Sequence, residues 1–442
     1  MRVLRVLAAA LVCFMGCHES VRAATPPWLV ISDVHYTPFA PHRKPSRFGE
    51  DTDDALLASF LAEARAVDPD PPVVIIAGDF LAHNFRLDAA ASTMVALAKR
   101  FDAAFPRAQF VIALGNNDSP CGDYGAPIDG TFLAASAAAW APLVDRRGAS
   151  PDFARRFAHD GSYVARLPVR NLRVVVTNDV FDALRYGDGC AQGQNGAGQA
   201  LGRLQSDLLA AGPHDRNWML LHIPPGIDAY STTHLTHRLG VIPFLRPRAG
   251  DALAALVADP RDRVALAIAG HTHKFGYRLI ASGGARVPML LVPSVSPIFY
   301  NGPSFLEVPV DRDGALGDVT EFSYVDGAWQ RLGDLASLGV PRFTAPGLEA
   351  LQGRLADDAT LRGTFSLLYS GGGPAEITKR NWRSYWCAAT NLSTSAFESC
   401  TGQRGLGVLT GRGLELALAV LVAIVLAGIA FFFFLRGARA RA

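Results

Sequence analysis

Residues 73–80 read Val-Val-Ile-Ile-Ala-Gly-Asp-Phe. Four consecutive β-favouring apolar residues leave no polar face, which is the pattern of a strand buried on both sides. The run stops at a glycine, and a carboxylate, Asp79, follows at once. Outward from this stretch the same order repeats. Trp28-Leu-Val-Ile31 leads to Asp33-Val-His35, and Phe110-Val-Ile112 leads to Gly115-Asn116-Asn117-Asp118. Trp218-Met-Leu-Leu221 leads to His222, and Val264-Ala-Leu-Ala-Ile268 leads to Gly270-His271-Thr272-His273. Val174-Val-Val176 and Met289-Leu-Leu-Val292 add further strand candidates. Helical spacing appears between them: Leu56, Leu57, Phe60, Leu61 and Ala64 follow Asp51 and Asp53, either of which could begin a helix. The expected fold class is therefore α/β, a layered sandwich of mixed β-sheets flanked by helices. Phe305–Val310 and Val319–Val325, around Asp311-Arg-Asp-Gly314, read as a closing hairpin.

In open α/β sheets the loops at the carboxyl ends of strands converge, and ligands bind there. Asp33, His35, Asp79, Asn116, His222, His271 and His273 would then meet, offering seven oxygen and nitrogen donors. That number suits two divalent ions. Asp79, with two carboxylate oxygens, is the natural bridge. Asp33, His35 and His273 would serve one ion; Asn116, His222 and His271 would serve the other. Mixed imidazole and carboxylate ligands fit zinc, with manganese or iron as alternatives. Two such ions polarise phosphoryl oxygens and acidify a water, so the expected reaction is phosphate-ester hydrolysis by a metal-bridging hydroxide. Asp118 would orient a neighbouring group. Each motif alone is commonplace: a lone His222 is an ordinary core histidine, and Asn116-Asn117-Asp118 an ordinary turn. The ordered set, each member after a strand, carries the inference.

The rest of the chain sets the context. Net charge is +2 over 442 residues with no basic patch, which argues against a nucleic-acid partner. Arg2 and Arg5 precede a short apolar run, and Val21-Arg22-Ala23 offers small residues for cleavage, so residues 1–23 are expected to be a signal peptide. Phe14-Met15-Gly16-Cys17 leaves lipid attachment at Cys17 as the alternative. Leu416–Leu435 is uncharged, apolar and long enough to span a bilayer, and Arg436, Arg439 and Arg441 follow it. The expected topology is an exported domain, anchored by a C-terminal membrane helix, with residues 436–442 a basic cytoplasmic tail. Residues 24–330 would form the catalytic domain, 331–405 a helical region and 406–415 a Gly-rich linker. Leu348, Leu351, Leu355 and Leu361 carry the helical pattern, and Trp382, Tyr385 and Trp386 cluster beside Cys387. Four cysteines lie outside the signal. In an oxidising compartment two disulfides are expected, Cys121 with Cys190 and Cys387 with Cys400.

The motif series resembles that of the calcineurin-like metallophosphoesterases: D-x-H, G-D, G-N-H-D/E, H and G-H-x-H, over roughly residues 27–325. The resemblance implies the same seven ligands. Gly78-Asp-Phe-Leu-Ala-His83, His222-Ile-Pro-Pro-Gly226 and the Tyr385-Trp-Cys387 to Cys400 tail are similar to the acid sphingomyelinase-like branch. That branch implies a phosphodiester substrate, small-molecule or lipid. Phosphomonoesterase, nucleotidase and polyphosphatase remain alternatives within the superfamily, and a catalytically weak anchored binding protein is an alternative from another class. One position departs: the family's G-N-H histidine is Asn117, whose amide donates hydrogen bonds but is no acid. His83 matches the branch's other histidine, so His83 is expected to be the general acid. Tyr36, His42, Tyr230, His234 and Phe299 are unranked candidates for specificity.

Overall fold

The computed structural model describes residues 26–39, 44–187, 190, 196–234, 240–282 and 284–402. The expected signal peptide, linker and membrane helix, and His42, lie outside these residues. Among the described residues no helix is long and apolar enough to cross a membrane.

Twelve strands are described: β1 (Trp28–Ile31), β2 (Val73–Ile76), β3 (Gln109–Ile112), β4 (Tyr163–Arg166), β5 (Leu172–Val176), β6 (Arg216–Leu220), β7 (Val264–Ala269), β8 (Gly276–Ser282), β9 (Ala285–Leu291), β10 (Ser304–Val308), β11 (Thr320–Val325) and β12 (Ala328–Asp334). They form two six-stranded sheets, ordered β12-β11-β10-β1-β2-β3 and β4-β5-β6-β7-β9-β8. β1, β2 and β3 run parallel, as do β5, β6, β7 and β9; the strands outside each parallel block pair antiparallel. The α/β class is as expected, with two mixed sheets dividing the motif-bearing strands between them.

Period-2 alternation in the second sheet explains the layering. Val174, Val176, Trp218, Leu220, Leu266 and Ile268 enter a core shared with the first sheet, where the Trp28 and Trp218 rings meet at 5.3 Å. Val175, Met219, Ala267 and Ala269 face the other way, into a second core with Leu204, Leu208, Leu253 and Val257 of helices Gly196–Leu209 and Pro247–Ala258. The first sheet is backed by helices Asp54–Val67, Ala90–Ala104 and Thr131–Val144, through contacts such as Phe60 on Phe305 and Trp140 on Phe110. The order is helix, sheet, sheet, helix.

Three edge strands, β4, β8 and β12, lie beyond the sequence expectation. β4 is half-exposed, and β8 carries Arg278 among its apolar residues, so neither shows a continuous apolar run. The helices of the C-terminal region begin at Ala345, because Ala328–Asp334 completes the first sheet as β12. Helix Ala345–Asp357 packs on β8 and β9, helices Ala359–Tyr369 and Trp382–Ala388 pack on that helix, and Thr394–Thr401 packs on Trp382–Ala388. Tyr277 Oη donates to Gln352 at 2.6 Å, and Leu279 N–H donates to Ala389 O at 2.8 Å. Disulfides join Cys387 to Cys400 within this region and Cys121 to Cys190 beside the β3 loop.

Candidate metal centre

The parallel blocks of both sheets end at the same place. Beyond their ends Ser32 and Ser294 form a bridge, with Val295 N–H donating to Ser32 O and Ser296 N–H to Asp33 O, both at 3.1 Å. The loops after β1, β2, β3, β6 and β7 are thereby gathered at one point.

Close packing explains the glycines. A Cβ on Gly270 would lie 2.0 Å from Ser32 Oγ and 2.8 Å from Asp33 Oδ2. Gly78, at φ 95°, would set a Cβ 2.7 Å from His222 Nδ1. Sharp turns follow: Asp33, His35, Asp79, His271 and His273 all have positive φ, between 43° and 67°. Such backbone costs roughly 1–3 kcal/mol per non-glycine residue and concentrates at functional sites. Side chains hold these loops in place. Asp118 accepts N–H bonds from Phe80 (2.8 Å), Leu81 (3.1 Å) and Gly115 (2.8 Å), tying the β2 loop to the β3 loop. Asp179 receives His222 N–H at 3.1 Å and Ile223 N–H at 3.0 Å.

The seven donors fall into two groups. Asp33, His35 and His273 form one, and Asp79, His222 and His271 the other, each with ligand atoms within 4.8 Å of one another. Asn116 joins the second through Oδ1, 3.1 Å from His222 Nε2; its Nδ2 donates to Asp123 at 2.7 Å, which fixes the amide orientation. Asp79 Oδ2 stands between the groups, 3.4 Å from His35 Nε2 and 3.3 Å from His222 Nε2.

This donor set fits divalent ions. His222 donates Nδ1–H to Ala77 O at 2.7 Å, and His35 donates Nδ1–H to Leu81 O at 3.0 Å. In the neutral rings both Nε2 atoms are then lone-pair acceptors. His222 Nε2 faces Asn116 Oδ1 and Asp79 Oδ2, both acceptors; His35 Nε2 faces Asp79 Oδ2 and Asp33 Oδ1 and lies 3.0 Å from His273 Nε2. Acceptors turned on acceptors in a buried pocket require a cation between them. Without an ion, protons take its place. Burial opposes the charged forms of His35 and His222, yet Asp79 and Asp33 together outweigh it, and the two rings rise to about 9 and about 10. Burial also opposes charge on Asp79, but His222 and His35 hold it well below the ordinary carboxylate range. Burial and then His222 press His271 down to about 3. Burial and then Asp79 push Asp118 up to about 7.

A model of the calcineurin-like phosphoesterase family matches residues 26–275. The chain belongs to that family. Membership agrees with the two clustered ligand groups, and the resemblance to the sphingomyelinase-like branch has a counterpart among known proteins. The chain is 24% identical over 284 residues to a sphingomyelinase phosphodiesterase D of Dictyostelium discoideum, covering 62% of this chain and 61% of that protein. It thus spans less than two thirds of that relative's length. Among solved structures it is similar to a putative 5'-nucleotidase from Staphylococcus aureus (15% identity, TM-score 0.37, 74% of this chain and 58% of that one). It is also similar to a 5'-nucleotidase precursor from Thermus thermophilus (15% identity, TM-score 0.34, 75% and 59%).

The family's departing position, Asn117, grips Asp79: its backbone N–H donates to Oδ1 at 2.7 Å and its Nδ2 to Oδ2 at 2.9 Å. It therefore steadies the carboxylate set between the two ligand groups. Asp118 acts through backbone and does not line the cavity. His83 lines the cavity and stacks on His35 at 4.3 Å between centroids. Its Nδ1–H donates to Asp51 Oδ1 at 2.9 Å, and its backbone N–H to Asp51 Oδ2 at 3.0 Å. Nε2 is the ring nitrogen left for the cavity. Asp51 is the residue the sequence reading missed, because it reads as a helix-start carboxylate. The helix is instead capped by Asp53, which accepts Leu56 N–H at 2.7 Å. Of the specificity candidates, Tyr230 and Phe299 line the cavity. Tyr36 does not: it is buried, with its hydroxyl donating to Asp54 at 2.6 Å. His234 stacks on Tyr230 at 4.3 Å, outside the cavity wall.

Proposed function

We propose that this chain is a dinuclear-metal phosphodiesterase, exported and anchored by its C-terminal segment. The carrying observation is that two ligand groups, with an Asp79 oxygen between them, open onto one cavity of about 400 Å³, far larger than a phosphate needs, with His83 on its wall. A phosphodiester brings two substituents, and a cavity of this size accommodates them. The 24% identical Dictyostelium protein, whose name is that of a sphingomyelinase phosphodiesterase, supports the diester reading. Export and anchoring rest on residues 1–23 and 416–435 of the sequence.

Zinc is the proposed metal, with manganese or iron as alternatives; when bound, two such ions would polarise the phosphoryl oxygens and acidify a water between them. The chain does the rest. Asp33, His35 and His273 would hold one ion, Asn116, His222 and His271 the other, and Asp79 both. Asn117 keeps the Asp79 carboxylate from rotating. As the ester P–O bond breaks, His83 donates its Nε2 proton to the departing oxygen, with Asp51 fixing the ring from behind. Asn117 offers no proton for that step.

A substrate panel tests the reading: bis-nitrophenyl phosphate, nitrophenyl phosphate, nitrophenyl phosphorylcholine, nucleotides and sphingomyelin. Diesters should be turned over faster than the monoester. A preference for nitrophenyl phosphate over every diester would point to a phosphomonoesterase instead.

A further inference from the structure

The cavity does not end at the metal ligands. It continues inward to the C-terminal helical region, where Tyr369, Glu376 and Tyr385 form its far wall. The polar groups at this inner end are engaged with one another. Lys274, 3% exposed, places Nζ 3.1 Å from Glu376 Oε2 and donates to Phe299 O at 3.2 Å. The other Glu376 oxygen accepts the Tyr385 hydroxyl at 2.8 Å and the Tyr369 hydroxyl at 3.2 Å. Arg278 donates to the carbonyls of Ile227, at 2.9 Å, and Ala388, and its guanidinium lies 5.9 Å from the centre of the Phe244 ring. Lys274 and Glu376 cancel each other, and Arg278 is held by carbonyls and an aromatic ring. The tyrosine hydroxyls are turned onto Glu376, and Phe244 and Phe365 complete an aromatic lining.

We propose that this inner chamber is a subsite for an uncharged aromatic or apolar ester substituent, and that Glu376 is the positioning residue that builds it. The claim rests on the phosphodiester reading. A cationic substituent entering here would lose its hydration and meet the buried Arg278 guanidinium and a carboxylate already paired with Lys274, whereas a ring or alkyl group meets aromatic faces. Glu376 joins three separate pieces of chain: helix Ala359–Tyr369, helix Trp382–Ala388 and the loop after β7, where Lys274 directly follows His273. One carboxylate therefore sets how far the helical wall stands from the metal loop.

The test uses the full chain loaded with Mn²⁺ and three diesters sharing the nitrophenolate leaving group: phenyl, methyl and choline nitrophenyl phosphates. The phenyl ester should be favoured over both others by about tenfold in kcat/KM. Glu376→Gln should cut the phenyl-to-methyl ratio by about tenfold, through KM. Tyr385→Phe, which keeps every charge and removes one donor to Glu376, should shift the ratio the same way by less. Preference for the choline ester would overturn the proposal. So would a parallel loss on phenyl and methyl esters at unchanged melting temperature, or an unchanged ratio in both variants. If no diester is turned over, the phosphodiesterase reading fails, and calorimetry judges the chamber separately. Diphenyl phosphate should then bind the metal-loaded protein more tightly than dimethyl phosphate, and Glu376→Gln should erase the difference. Equal binding would overturn the subsite.

Discussion

At the metal end of the cavity every ligand lies within four residues after a strand, and five of the seven stand on left-handed backbone. At the inner end the wall comes from helices Ala359–Tyr369 and Trp382–Ala388 and the segment between them, where ordinary backbone carries Tyr369, Glu376 and Tyr385. The first end is a cluster of ligand atoms suited to cations; the second is a network of an ion pair and hydrogen bonds around Glu376. The difference teaches how one cavity divides its labour. Strain and unmet charge gather where metal-assisted chemistry needs preorganised donors. Satisfied hydrogen bonds gather where only shape has to be held.

Substitutions should separate the two ends. Asp79→Ala removes the carboxylate common to both ligand groups and should lower kcat/KM for all diesters by ~10³-fold or more, equivalent to ~4 kcal/mol or more. Metal content, read by mass spectrometry, should fall with it. Retention of both ions and of turnover would dissolve the division. His83→Ala should slow alkyl diesters by about 10²–10⁴-fold and nitrophenyl esters much less, because nitrophenolate leaves unaided. Asp51→Asn should give a smaller version of the same pattern, since it acts only through the His83 ring. Equal slowing of both substrate types, with metals retained, would remove the acid role from His83. Asn117→His in the His83→Ala background should recover part of the alkyl-ester rate.

The inner end should respond in stability before it responds in chemistry. Cys387→Ser with Cys400→Ser opens the staple between the two helices and should cost about 3 kcal/mol in urea unfolding, while metal content stays unchanged. Loss of metal from that variant would show that the two ends are not separable. A smaller effect concerns Glu321 on β11, buried with neither oxygen in a well-formed hydrogen bond among the described residues. Burial pushes its carboxyl well above the ordinary 4.5, offset only in part by the Ser304 hydroxyl. The folded chain therefore keeps a proton that the unfolded chain releases near 4.5. Its contribution to stability is complete below that pH and is lost as pH rises toward the raised folded value. Glu321→Gln should flatten this decline, so the urea midpoint of the variant should gain on the parent as pH increases. A constant difference across pH would refute that protonation state.

Legibility in the sequence followed the same line. Strands buried on both faces print continuous apolar runs, so β1, β2, β3, β5, β6, β7 and β9 could be read directly, together with the motifs behind them. β4 and β8 escaped because edge strands mix polar and apolar residues. The division of the motif strands between two sheets escaped because pairing partners leave no local mark. Asp51 escaped because a carboxylate before a helix usually caps it. Lys274 and Glu376 escaped because their partnership spans a fold, not a window of sequence.

Metal analysis coupled to turnover tests the account most directly. The purified protein should carry about two divalent ions per chain and hydrolyse bis-nitrophenyl phosphate. Chelation should abolish that turnover, and added Mn²⁺ or Zn²⁺ should restore it. Full phosphodiesterase activity in a verified metal-free preparation would contradict the central claim.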